Sequence, residues 1–280
     1  MPHYSFITYR HLIKLSIKLL VGISFYFVKE RLKYLKQISS HFKFFSDDFD
    51  LCIFTNTENN EDHTLIREVL NDFKPQIFVP SLLGHPYLLV WSHLAIFKSR
   101  FLNDSPISHY LYLEDDIEIR KENIHYWLSA REHLRAYNLI SSFVRYELME
   151  SNPHPYSVDI TIRLSLEKLP KIKHSEKYYY INLTNPYQGM YFLDHELAKK
   201  HFFGRSSSPD FGIWNIREKA AQGLTYLNVP KNFFSRNLVG YDLSKKCIDS
   251  NASIHHLSNN YVNNPNTKSS KIYIKDIIKR

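Results

Sequence analysis

Apolar residues fall into short continuous runs separated by stretches in which they recur at helical spacing, and this alternation predicts a sheet wound with helices. Residues 19–27, 50–55, 76–79, 109–113 and 139–146 read as strands, several apolar enough to be buried on both faces. Between them, residues 29–42, 62–73, 87–101 and 124–137 read as helices with one buried face, the third carrying Trp91, His93 and Lys98. Strand and helix taking turns is the order of a doubly wound α/β sheet rather than of separate domains. Residues 151–177, rich in Pro, Lys and Ser, read as a long loop. Residues 216–221 read as a short helix after a polar loop, and Asp194 as the N-cap of a helix carrying Glu196, Leu197 and Ala198. No linker or internal repeat divides the chain, so one domain is expected over 19–280, behind a basic lead-in over 1–18.

The apolar run at 19–28 invites a membrane reading, but Lys14 and Lys18 interrupt its approach and the remainder is too short to span a bilayer. It lacks a cleavage-site pattern and fits a buried first strand better. The lead-in is left with two readings, an ill-ordered terminus or a helix lying on a membrane surface.

Composition narrows the class. With 280 residues, 44% hydrophobic and 15% aromatic, the chain can bury a sizeable core, and 7 glycines leave no room for a glycine-rich phosphate loop. Cys52 and Cys247 form neither a metal pair nor a disulfide framework, which points to a reducing compartment. The net charge of +8 raises nucleic acid, an anionic membrane or a phosphorylated substrate as partners. The basic residues are dispersed and no nucleic-acid module is present, so nucleic acid is not expected. Peripheral contact with anionic lipid is the milder reading, worth roughly 1 kcal/mol per surface Lys or Arg.

The chemistry concentrates in Leu111-Tyr112-Leu113-Glu114-Asp115-Asp116-Ile117-Glu118-Ile119, a buried strand that runs into three consecutive carboxylates. The acids begin at the strand's carboxyl end, where open α/β sheets bind ligands. Within one turn they repel one another unless a cation or a bound proton relieves them, and a hard divalent metal is the economical agent. A solvated acidic turn ahead of a helix is the plainer alternative. Arg145 and Arg236, near strand ends, are candidates for a diphosphate because the planar guanidinium pairs with phosphate in two-pronged fashion. His85-Pro86-Tyr87, with Trp91 and His93, is a further candidate edge of a pocket.

The order of these features resembles the GT-A glycosyltransferases, whose metal site is a DxD-type acidic turn after a nucleotide-binding α/β half. Locally, Tyr112 to Glu118 is similar to the N-acetylglucosaminyltransferase I type, in which Glu-Asp-Asp is followed by an apolar residue and another acid. The resemblance implies a GT-A (Rossmann-like) α/β fold with a mixed, mostly parallel central sheet flanked by helices. It implies that Asp116 would ligate Mn²⁺ or Mg²⁺, with Glu114 and Asp115 nearer the donor's ribose and base. The family's second protein ligand is often a His near the C-terminal end. Here Ile254-His255-His256-Leu257 offers two on opposite faces of a strand, with His256 favoured and His255 second.

By the same likeness, Tyr187, Gln188 and Gly189 would line the acceptor side, the tyrosine stacking on a sugar and the glycine admitting close backbone approach. An inverting enzyme needs a base within reach of the acceptor hydroxyl. Asp210, at a loop-to-helix junction, is the candidate, and Glu147, at the end of another strand, competes with it.

The expected activity is therefore metal-dependent transfer of a hexosyl or N-acetylhexosaminyl unit from a nucleotide-diphosphate sugar to a hydroxyl of a glycan or glycolipid, with inversion. A basic chain without a spanning segment suits a cytoplasmic enzyme working at a membrane face, as in bacterial surface-polysaccharide assembly. Two alternatives stand beside it: a metal-dependent phosphoester hydrolase using the same acids, and a non-catalytic nucleotide-sugar-binding protein on the same scaffold.

Overall fold

The computed structural model describes residues 17–46, 48–103 and 106–279, so all but Ile17 and Lys18 of the expected lead-in lies outside the described residues. In chain order the first half comprises β1 (Lys18–Phe25), α1 (Leu32–Ser39), β2 (Asp48–Thr55), α2 (Asn60–Val69), β3 (Gln76–Phe78), α3 (His93–Leu102) and β4 (His109–Glu114). There follow β5 (Ile117–Glu118), α4 (Lys121–Leu134), β6 (Ile140–Ser141), β7 (Val144–Met149), β8 (Asn152–Ser157), β9 (Lys171–Ser175), β10 (Tyr178–Ile181) and β11 (Met190–Asp194). The chain ends with α5 (His195–Phe202), α6 (Ile216–Ala220), β12 (Asn237–Asp242), β13 (Cys247–Ile248), β14 (Ser253–His256) and β15 (Ile272–Tyr273).

The central sheet runs β11-β4-β1-β2-β3, with β1 to β4 parallel and β11 antiparallel to β4. This is the α/β sheet that the alternation predicts, mixed and mostly parallel as the resemblance implies. Leu19, Leu20, Val21, Ile23 and Phe25 of β1 are wholly buried, and each such side chain gains on the order of 1.5–3 kcal/mol by leaving water. Gly22 interrupts that series for a steric reason. A Cβ there would meet the ring of Phe97 at 2.9 Å, so the glycine is what lets α3 settle on β1.

Two further sheets stand beside the first. One runs β13-β12-β10-β9 with β6 on β12, and the other runs β15-β8-β7-β14-β5. They correct two expectations. The strand expected over 139–146 is two strands in different sheets, because Ser142 N–H bonds Leu238 O while Phe143 N–H turns to the Gln188 side chain. The loop expected over 151–177 contains β8 and β9. Pro153 and Pro155 argued against a strand, yet β8 pairs with β7 through a register irregularity between Glu147 and Met149.

Two expected helices are shorter than their apolar spacing suggested. A 3-10 turn at Lys29–Arg31 precedes α1, and another at Pro86–Trp91 precedes α3, where the Trp91 indole donates to Ile216 O at 2.8 Å. The start of α5 is closed as read, with Asp194 accepting from Leu197 N–H at 2.8 Å. No helix among the described residues is long and apolar enough to cross a membrane.

Candidate active site

The carboxyl end of β4 delivers Glu114, the chain turns through Asp115 and Asp116, and β5 then pairs antiparallel with β14, setting Ile117 opposite His256 and Glu118 opposite His255. Leu257 N–H donates to Asp116 O at 2.8 Å, so backbone alone ties the acidic turn to the C-terminal histidine strand. Above the turn opens a cavity of about 680 Å³. Glu114 at the end of β4 and Asp115 and Asp116 in the turn after it line the cavity, with Arg145 and His256 from the adjoining sheet, Asp159 from the bend after β8, and Trp214, Arg217 and Glu218 from α6 and the loop before it. Tyr26, Pro86 and Tyr87 edge it.

His256 is keyed by two acids. Its Nδ1 lies 2.7 Å from Glu147 Oε1 and its Nε2 lies 3.4 Å from Asp116 Oδ2. Burial alone would push the imidazole down, but hydrogen bonding to Asp116 and Glu147 raises it to about 9, so the ring is charged at neutral pH. Burial works against Asp116 too, and the His256 bond and charge, with Arg31 and Arg145, hold its carboxyl well below the usual range.

Glu147 is the positioning group of this pair and not a free base. It is fully buried and also accepts from Val262 N–H at 2.6 Å, Tyr261 N–H at 3.3 Å and the Ser270 hydroxyl at 3.0 Å. That environment corrects the expectation of Glu147 as a base at the acceptor: no substrate hydroxyl reaches a carboxylate so enclosed.

Glu114 has a different setting. Burial, helped by Asp116, pushes it up to about 7 against the pull of Arg145 and the Tyr187 hydroxyl, which donates to Glu114 Oε1 at 2.5 Å. Gly189 is left-handed (φ +64°), its carbonyl accepts Glu114 N–H at 3.0 Å, and a Cβ there would meet Ile117 at 3.0 Å and Glu114 Oε2 at 3.2 Å. Glycine is thus required at Gly189 to seat Glu114, and it serves the acidic strand end through its backbone. Tyr187 lines the cavity beneath Arg145, whose guanidinium carbon lies 4.5 Å from the ring centroid. Arg145 itself is held by Asp159 at 2.7 and 2.9 Å.

The remaining sequence candidates lie elsewhere. Gln188 is buried with its Oε1 accepting Phe143 N–H at 3.0 Å, so it splices two strands and does not line the cavity. Arg236 is 2% exposed and gives its donors to the Asn138 carbonyl and side chain, each at 2.9 Å, while burial pushes it down to about 10. It closes the end of α4 and cannot meet a phosphate. Asp210 sits exposed on its loop, outside the cavity lining. His255 faces away from Asp116. Its ring stacks parallel on Tyr146 at 4.8 Å, and it lines a separate cavity of about 500 Å³ with Glu118. His93, also expected at a pocket edge, is the first residue of α3, fully buried and outside the cavity lining.

Sequence reasoning missed Arg31, Asp159, Trp214, Arg217 and Glu218. Arg31 is the most consequential, since it donates to Asp115 at 2.6 and 2.7 Å and to Asp116 at 3.2 Å.

Asp116 and His256 fit two neighbouring positions on one divalent cation. Ligand atoms at about 2.1 Å from such an ion lie roughly 3.0–3.4 Å apart, and the observed separation is 3.4 Å. The Nδ1–H to carboxylate bond that leaves Nε2 facing the partner acid is the usual support of a ligating histidine. Among the described residues no group of three or more His, Cys, Asp or Glu is arranged to hold a metal. A cation here would take the rest of its shell from ligand oxygens and water.

No family model matches the chain, and no curated protein matches it. Among solved structures it is similar to S. aureus TarS 1-349, at 13% identity and a TM-score of 0.42 over 86% of this chain and 61% of that one. A second S. aureus TarS structure aligns at 12% identity and a TM-score of 0.37, over 66% of this chain and 30% of that one. The chain thus spans about three fifths of the length of the first of these and less than a third of the second.

Proposed function

We propose that the chain is a GT-A glycosyltransferase that moves a sugar from a nucleotide-diphosphate donor to a hydroxyl of a glycan or glycolipid. One observation carries the reading: a strand-end Asp116 is paired with a carboxylate-keyed His256 at the floor of a cavity that also presents Arg145 and Arg217. The cavity, about 680 Å³, is of the size that takes a small-molecule ligand. Bound at Asp116 and His256, Mn²⁺ or Mg²⁺ would neutralise charge on the departing diphosphate.

This chain's own residues do the rest. Arg217 is exposed at the wall and turned toward the acidic turn, where its charge is felt by Glu114. It is available to diphosphate oxygens, whereas Arg145, already spanned by Asp159, supplies a fixed positive field. Tyr187 and Trp214, packed edge to face at 5.0 Å, offer aromatic surface to a sugar ring. The exposed cations Lys29, Lys33, Lys36 and Lys43, beside exposed Phe44, supply the basic face for contact with anionic lipid.

The hydrolase alternative calls for ligands gathered around two metals, and the described residues provide no group of three. The test is calorimetric titration of UDP, GDP, CDP and their common sugar conjugates, each with and without Mn²⁺. Metal-dependent binding of one nucleotide class and slow release of nucleoside diphosphate from its sugar conjugate are expected. Phosphate release from simple esters with no nucleotide preference would support the hydrolase instead, and tight binding without any turnover would support a non-catalytic protein.

A further inference from the structure

The second cavity, of about 500 Å³, opens on the face of β14 opposite His256 and takes no part in the chemistry proposed above. Its walls come from the start of α4, from β7, β8 and β15, and from the 247–253 segment that leads into β14. The protein's own contacts fix those walls. The Tyr146 ring lies parallel on His255 at 4.8 Å, and the Tyr273 hydroxyl bonds Asn152 Nδ2 at 2.8 Å and the Tyr156 hydroxyl at 3.1 Å. Arg120 donates to buried Glu118 at 2.8 Å. Pro155, Ile248 and Ile274 complete the apolar lining.

Other polar groups of the lining are uncommitted. Among the described residues the side chains of Glu122, Ser250, Asn251 and Lys275, all exposed, make no hydrogen bond and no ion pair. Such side chains are ordinarily met by water, and their convergence on one partly apolar hollow is the mark of a ligand site. Their chemistry selects the ligand: Glu122 accepts, Lys275 donates, and Ser250 and Asn251 do both. Histidines aside, Arg120 and Lys275 are balanced by Glu118 and Glu122, so the lining offers an anion no excess of positive charge. A lipid tail would strip water from the polar groups and return no hydrogen bond. A sugar hydroxyl both donates and accepts, and the C–H face of a sugar ring can lie against tyrosine, proline and isoleucine.

We infer that this second cavity is a glycan-binding site, holding a neutral saccharide apart from the reaction centre. On the far face of β14 it cannot hold the sugar undergoing transfer. Its saccharide is bound whether or not the first cavity transfers sugar.

Calorimetric titration of the full chain with cellohexaose, maltohexaose, laminarihexaose, mannohexaose, xylohexaose and chitohexaose tests the site. At least one should bind. Asn251→Ala and Glu122→Ala, at exposed side chains that make no internal bond, should each weaken it roughly 10-fold, as loss of one hydrogen bond implies. Ser250→Trp, which fills the hollow, should abolish binding; should it fail to fold, the two alanine variants carry the test. Trp214→Ala, in the first cavity, should leave saccharide affinity within about 2-fold of wild type, as expected for a separate site. Affinity lost in Trp214→Ala and kept in the second-cavity variants would place the saccharide in the first cavity and overturn the inference, as would failure of all six to bind. Competition by inorganic phosphate would make the hollow an anion site and overturn it equally. Saccharide binding at the second cavity of a protein that binds no nucleotide sugar would overturn the transfer reading and leave this site standing.

Discussion

Arg31 closes on Asp115 through two hydrogen bonds of 2.6 and 2.7 Å, from a 3-10 turn 84 residues earlier in the chain, and reaches Asp116 at 3.2 Å. The acidic turn is therefore not a cluster of repelling charges waiting for a metal. Arg31 and protonated His256 already neutralise Asp115 and Asp116, and a divalent cation entering at Asp116 has to compete with both. A diphosphate arriving with the cation brings anionic oxygens to which a displaced guanidinium can turn.

Arg31→Gln should therefore weaken the fold and strengthen the metal. Leaving buried Asp115 and Asp116 without their guanidinium is expected to cost about 2–3 kcal/mol in EDTA, the side chain's 30% exposure keeping this below the value for a fully buried pair. Urea denaturation measures it. Added Mn²⁺ should stabilise the variant more than it stabilises wild type, and equal stability of the two proteins in EDTA would show that the pair contributes nothing.

Asp116→Ala should abolish the Mn²⁺-dependent binding of nucleoside diphosphates. It should also destabilise the metal-free protein, because the charged His256 ring loses one of its two acids. Relief of repulsion, the outcome expected of an isolated acidic turn, would instead raise the melting temperature in EDTA. Thermal unfolding with and without Mn²⁺ and UDP separates the two, and an unchanged Mn²⁺ response would remove Asp116 from the site.

What was legible in the chain was what neighbours along it determine. Apolar runs ending at Thr55 and Glu114 mark parallel strands whose carboxyl ends meet, and the adjacent histidines say that only one can face the acids. That it is His256 depends on the β5–β14 register and on Leu257 N–H reaching Asp116 O. Arg31 could not be read because it is one cation among several in a basic stretch, and its partners are distant in sequence. Arg236 shows the converse: a guanidinium near a strand end suggests a phosphate ligand, yet a left-handed Asn138 (φ 57°) turns its carbonyl and side chain onto it. Glu218 has a faint signal in the sequence, an acid in the first turn of the helix after the polar loop that holds Asp210. Only folding separates Glu218, at the cavity wall, from Asp210, outside it.

Glu147→Gln separates a positioning role from a catalytic one. Loss of the carboxylate that accepts from His256 Nδ1 should weaken Mn²⁺ affinity roughly 10- to 100-fold, the usual effect of removing the support of a ligating histidine. At saturating Mn²⁺ the rate of donor hydrolysis should return to near the wild-type value. A rate that stays low at every Mn²⁺ concentration in a folded variant would return Glu147 to the chemistry.

Acid lability should originate behind the cavity wall, at His93. The ring is fully buried against Tyr112, with Nδ1 2.7 Å from Val90 O and Nε2 2.6 Å from the Tyr191 hydroxyl. A carbonyl only accepts, so the single proton belongs on Nδ1 and Nε2 accepts from the tyrosine. Burial, with the nearby His201, pushes His93 down to about 3. Between that value and its unfolded value of about 6.5 the unfolded chain binds a proton that the folded one refuses, so stability is intact above pH 6.5 and lost as pH falls. By pH 5 the loss from His93 is on the order of 2 kcal/mol. His93→Gln has no ionisable ring, and its stability between pH 7 and pH 5 should fall less steeply than that of wild type in urea denaturation. Parallel curves would assign the acid sensitivity to other groups, His201 and His109 first, both of which burial also pushes down.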